Sequence, residues 1–179
     1  MEFEKLAQTF KKLEAVSEKT AKVDILARFI KEIDKESLKE TFMLIQGMIF
    51  YPWEDKEIGI GEKLTIKALS IATGYDRNYV ENLFVKTGDL GLVAEKLVSE
   101  RKQKTIFVKK LTIKDVYNTF RLIGELEGEG AQDKKVRYLA NLFVSSSPVE
   151  ARYIARLALE DLKIGVGEGI IIEAIASVF

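Results

Sequence analysis

An all-α fold is what the sequence predicts, and three observations predict it. Apolar residues recur at helical spacing along most of the 179 residues. Only two prolines interrupt that pattern. A hydroxyl residue followed three places later by Glu or Asp, the pair that caps a helix start reciprocally, stands at Ser37, Thr112 and Ser147.

Taken in order, Phe3, Leu6, Phe10 and Leu13 mark a first helix, and Val23, Leu26, Ile30 and Ile33 a second. Ser37 and Glu40 form a capping box that opens a third, with Leu38, Phe42, Ile45 and Ile49 on its inward face. The breakers in 51–55 end it, and Ile58-Gly59-Ile60-Gly61-Glu62 leads into a fourth helix carrying Leu64, Ala68 and Ile71 up to Gly74. Two shorter helices follow: one is capped by Asp76 with Val80 and Phe84 inward, the other opened by Gly88-Asp89 with Leu90, Val93 and Leu97 inward. The β-branched and aromatic centre of Arg101–Lys110 favours an extended, basic linker. Thr112 and Asp115 then cap the next helix.

The second half repeats the order of the first. Asn118-Thr119-Phe120 matches Gln8-Thr9-Phe10, Lys135-Val136 matches Lys22-Val23, Ser147 to Glu150 matches Ser37 to Glu40, and Ile164 to Glu168 matches Ile58 to Glu62. The offsets are 110, 113, 110 and 106 residues. Four landmarks in one order predict two related four-helix units, 3–74 and 113–179, about an approximate two-fold axis, with 75–112 as connector.

Composition narrows the chemistry. With 47% hydrophobic residues the chain supports one compact domain with a real core. No apolar run approaches the roughly 18 to 20 residues a bilayer needs, and the charged N-terminus is unlike a signal peptide, so a cytoplasmic monomer with no membrane contact is expected. Without cysteine or histidine, disulfides, thiolate or imidazole metal sites, and Cys or His catalytic pairs are excluded. Basic and acidic residues balance at 28 each, but 101–163 carries 13 basic against 8 acidic, which localises any anion-binding face. An ion-paired surface of the kind thermophiles favour explains the same charge content.

Both Gly-x-Gly-Glu turns precede a helix, where free backbone N–H groups and the positive end of the dipole suit a phosphate. Gly59, Gly61 and Lys63 belong to the first, Gly165 and Gly167 to the second. A plain break between helices accounts for one such turn; two copies fit the local dyad of duplex DNA, one phosphate on each strand. Gly128 and Gly130 form a third glycine-rich loop, followed by Gln132, Lys134 and Lys135 in a first helical turn where cations oppose the dipole unless an anion binds. Arg152 and Arg156 lie one turn apart on a helix, with Lys163 just beyond, as phosphate contacts or a solvated stripe. A Walker-type phosphate loop and a Lys-x-Asp-Gly nucleophile motif are both missing, so the chain is expected to be catalytically silent.

These motifs in order, Gly59 to Glu62 with Ala72-Thr73-Gly74, Thr87-Gly88-Asp89-Leu90-Gly91, Gly128 to Lys135, Ala151 to Arg156 and Gly165 to Glu168, resemble the DNA-binding domain of archaeal and eukaryotic ATP-dependent DNA ligases. The resemblance covers nearly the whole chain. It implies a helical domain that binds the minor groove of nicked duplex through the residues just named, for replication and repair. It also implies nucleotidyltransferase and OB-fold domains that close around the duplex; ATP and Mg belong to those, and this chain itself takes no cofactor. Ala131, Lys163 and Gly167 depart from the family's frequent Ser, Arg and Ala, which weakens those individual contacts. Gln103, Ile106 and Phe107 resemble the sliding-clamp box of archaeal relatives, although only one aromatic is present. The competing readings are a helical protein-interaction scaffold, an RNA-binding module and a stand-alone enzyme.

Overall fold

In a computed structural model, described over residues 1–101 and 109–179, ten α-helices account for most of the described chain. The core of the expected extended linker, and with it Gln103, Ile106 and Phe107, lies outside the described residues. The helices are α1 (Phe3–Glu14), α2 (Lys19–Ile30), α3 (Leu38–Ile45), α4 (Glu62–Thr73), α5 (Arg77–Thr87), α6 (Leu90–Ser99), α7 (Ile113–Glu125), α8 (Ala131–Ser145), α9 (Pro148–Ala158) and α10 (Glu168–Val178). No described helix is long and apolar enough to cross a membrane.

The amphipathic stripes become the core as the spacing requires. Phe3, Leu6, Phe10 and Leu13 of α1 are fully buried, and Phe10 meets Tyr153 of α9 edge-on at 5.2 Å. Helix α9 runs through the interior. Helix α6 packs closely on it, with buried Gly91 set against the Arg152 carbonyl and the Arg156 side chain.

The halves of the chain interleave. α4 packs on α8 and α10 on α2; α3 packs on α7 and α9 on α1. The starts of α1 and α7 lie side by side: the Phe3 amide donates to the Leu111 carbonyl at 2.8 Å, and the Ile113 amide to the Met1 carbonyl at 3.0 Å. Every one of these contacts therefore has a counterpart in which the two halves exchange roles.

Four expected caps form. Asp76 and Asp89 accept from the Asn78 and Gly91 amides at 2.8 and 2.7 Å, and the Thr112/Asp115 and Ser147/Glu150 boxes close in both directions. The Ser37/Glu40 box does not. Asp34 caps a short 3₁₀ turn there, accepting the Ser37 amide and hydroxyl at 2.8 and 2.6 Å, while the Met1 ammonium donates to that hydroxyl. The ammonium and Ser37 hold the Asp34 carboxyl down at about 2. With its hydroxyl committed, Ser37 sits outside the extended N-cap conformation, and one Glu40 carboxylate oxygen is buried without a partner among the described residues.

This shift rotates α3, so Thr41, Met43, Leu44 and Ile45 face inward, Leu38 is exposed and Phe42 half-buried. Ile71, expected on the inner face of α4, is likewise exposed because Thr65, Ile66, Ala68 and Leu69 take that face against α8. Phe84 of α5 is only half-buried, leaving Val80 as the sole buried side chain of that helix among the described residues.

Candidate nucleic-acid interface

The two Gly-x-Gly-Glu turns are built alike. Ile58 and Ile164 are buried and anchor the chain, after which Gly59 (φ 68°) and Gly165 (φ 62°) turn left-handed, a conformation that costs a residue with a Cβ on the order of 1 kcal/mol. Gly61 and Gly167 follow in extended geometry as N-caps of α4 and α10, and neither offers a side chain to cap the helix. Among the described residues, the amides of Gly59 to Gly61 and Gly165 to Gly167 donate to no acceptor. Each turn thus presents free N–H groups beside the positive end of a helix.

A lysine from the opposite half of the chain holds each turn from behind. Lys135 of α8 donates to the Ile58 carbonyl at 3.0 Å, and Lys22 of α2 donates to the Ile164 and Gly165 carbonyls at 2.8 and 2.9 Å. Lys22 is buried. Glycine makes room for both: a Cβ at Gly59 would lie 2.7 Å from the Lys135 ammonium, and one at Gly165 would collide with that of Lys22.

On the surface around the first turn, Lys63 is exposed at the start of α4, and Lys67 pairs with Asp133 at 3.3 Å. Gly130 caps α8 in left-handed geometry, and Gly128, Gln132 and Lys134 are exposed beside it. Lys135, expected free in the same helical turn, is instead committed to the Ile58 carbonyl.

Arg152 and Arg156 do not form a solvent-facing stripe. Arg156 is 2% exposed, donating to Glu14 at 2.8 Å and Asp89 at 2.6 Å. Arg152 reaches Glu95 and Glu14, and the Tyr153 hydroxyl donates to Glu14 at 2.5 Å. Burial pushes the Glu14 and Asp89 carboxyls up, but Arg156 together with Tyr153 and Arg152 at Glu14, and with the Gly91 amide and Lys163 at Asp89, leaves both below the usual carboxylate range. Burial and the Glu14 carboxylate raise the Tyr153 hydroxyl. Gly91, also expected at the DNA, serves this network: a Cβ there would lie 2.7 Å from Arg156 Nε and 2.9 Å from the Arg152 carbonyl.

Gly88 ends α5, exposed and next to Asp89. Lys163 lies at the network's outer edge, 3.8 Å from both Asp89 and Asp161 and 40% exposed, on a left-handed backbone (φ 58°) that a lysine adopts only under strain.

The family described as "DNA ligase N terminus" matches residues 2–176. The DNA ligase of Nanoarchaeum equitans is 59% identical over the whole chain, and those of Thermococcus fumicolans and Thermococcus onnurineus are 46% and 44% identical, also over the whole chain. The chain belongs to the DNA ligase N-terminus family. It spans 31–32% of the length of these relatives.

Within that family domain the structure separates residues that the sequence put together. Gly59, Gly61 and Lys63 share one turn with Lys135, and Gly165 and Gly167 share the other with Lys22; Arg152, Arg156 and Gly91 form a third, interior cluster. Lys22, Glu14 and Tyr153 went unrecognised as part of either cluster. A signal for Lys22 was available, since the internal repeat already aligned it with Lys135. None pointed to Glu14 or Tyr153, whose roles arise from α1 crossing α9. Among the described residues no group of His, Cys, Asp or Glu could hold a metal.

Proposed function

We propose that this domain grips nicked duplex DNA through the minor-groove phosphate backbone, without reading bases, as the N-terminal part of an ATP-dependent DNA ligase. One observation carries the proposal: two glycine turns whose amides are unpaired among the described residues, each at a helix start and each backed by a lysine from the opposite half of the chain. Two related units about an approximate two-fold axis would set one turn against each antiparallel strand. The exchanged packing of α4 on α8 and α10 on α2 supports that arrangement. Lys63 and Lys134 add exposed positive charge nearby, and Lys163 stands two residues before Gly165 between Asp89 and Asp161. The nucleotidyltransferase chemistry, with its ATP and Mg, belongs to the remainder of the ligase, where this domain positions the nick.

A salt titration tests the proposal. If about six phosphates are neutralised, log K for nicked duplex falls against log salt with a slope near −5, at roughly 0.9 per phosphate. An affinity indifferent to salt, or one that varies strongly with base sequence, overturns it.

The scaffold reading has one observation in its favour. Leu38 and Phe42, rotated off the core, border an apolar groove with Ile33, Ile175 and Val178. Leu38→Glu separates the readings: on the DNA reading it leaves duplex affinity unchanged.

A further inference from the structure

We infer that Lys22 and Lys135 are positioning residues that preset the two glycine turns for phosphate, each half of the chain supplying the brace for the other half's turn. The inference rests on the DNA reading above and assigns the turns a mechanism. In a planar trans peptide the carbonyl and the N–H of one unit point in opposite directions. Lys22 draws the Ile164 and Gly165 carbonyls toward the interior, so the N–H groups of the same units, those of Gly165 and Val166, turn the other way. Lys135 does this at the first turn through the Ile58 carbonyl and the Gly59 N–H.

The choice of lysine matters. Among the described residues neither ammonium pairs with a carboxylate; the hydrogen bonds of both go to neutral carbonyls, so no side-chain anion offsets either cation. A charge so placed, next to helix starts that are themselves positive, is unfavourable until an anion arrives. Simple structural bracing would be served by a neutral donor. The brace and its glycine recur together, with Gly59 and Gly165 each leaving the space the ammonium fills. Lys22 is buried at 8% exposure, which rules it out as a direct phosphate ligand in this conformation and leaves the positioning role.

The test compares Lys22→Met and Lys22→Arg with the unaltered chain in two measurements. One is the exchange rate and chemical shift of the Gly165 and Val166 amides without DNA; the other is affinity for nicked duplex by fluorescence anisotropy. Lys22→Met should move those amides in the free protein and weaken binding roughly ten-fold, the worth of a charge-assisted hydrogen bond. Lys22→Arg, which keeps a cationic donor for the two carbonyls, should recover most of the loss. Unmoved amides, or moved amides with undiminished affinity, overturn the inference. If the unaltered chain fails to hold nicked duplex, the DNA reading falls, while the amide comparison still decides whether the lysine sets the turn. Should Lys22→Met fail to fold, Lys135→Met puts the same question to the first turn.

Discussion

Two groups of cations in this domain look equally suited to phosphate and are put to opposite uses. Lys22 and Lys135 sit behind the glycine turns with neutral carbonyls for partners, and among the described residues no carboxylate offsets them. Arg152 and Arg156 sit among Glu14, Asp89 and Glu95, with Lys163 at the edge beside Asp89, so both guanidinium charges are offset by carboxylates. The guanidinium fork matches carboxylates and locks α1, α6 and α9 together. A basic residue's contribution to an anion-binding face is decided by what neutralises it, more than by how many neighbours share its sign.

The largest expected effect comes from breaking the interior cluster. Arg156→Met removes the shared partner of Glu14 and Asp89, leaving Glu14 with Arg152 and Tyr153 and Asp89 with Lys163 and the Gly91 amide, a loss of about 3 kcal/mol that should lower the melting temperature by roughly 10 °C. If it spares stability but abolishes duplex binding, the contrast between the two groups collapses. Gly91→Ala pushes on the same guanidinium from α6 and should cost about 1–3 kcal/mol, again read as a melting shift.

A further buried carboxyl, Glu150, sharpens the contrast, because among the described residues no cation pairs with it. Burial, and then the Glu4 carboxylate, push Glu150 up to about 7 from an ordinary 4.5. A raised carboxyl favours the folded state while protonated, so its penalty begins above about 4.5 and is complete above about 7. Glu150→Gln, which keeps an oxygen for the Ser147 amide, should therefore melt a few degrees higher than the unaltered chain at pH 8, with the gain vanishing near pH 4.5. Glu14 and Asp89 titrate in the opposite sense: held below the usual range, they contribute stability at neutral pH that is lost on acidification. The smallest effect belongs to Lys134, exposed beside the third glycine loop. Lys134→Ala should leave melting unchanged and reduce the salt slope by about one, equally for all duplex sequences; an unchanged slope would remove Lys134 from the interface.

Helices were legible because their evidence is local. The stripe Phe3, Leu6, Phe10, Leu13 and the caps at Asp76, Asp89, Thr112 and Ser147 each occupy a few consecutive turns of chain, and all appear as expected. Ser37 misled because its hydroxyl is claimed by Asp34 and the N-terminal ammonium, a competition the Ser-x-x-Glu pattern does not contain. The glycine turns were visible as a motif, but the lysines behind them come from the opposite half of the chain and only the repeat linked them. Arg152 and Arg156 were placed on one helix face correctly. Which way that face points depends on α1 and α6 packing against it, and no local pattern records that.

Amide chemical-shift mapping during titration with nicked duplex is the most direct test of the account. The amides of 59–62 and 165–168 should shift first and furthest, while those of 152–156 stay near their free positions. Large early shifts at 152–156 with quiet glycine turns would mean that the arginine cluster is the DNA contact and the turns are only hinges between helices.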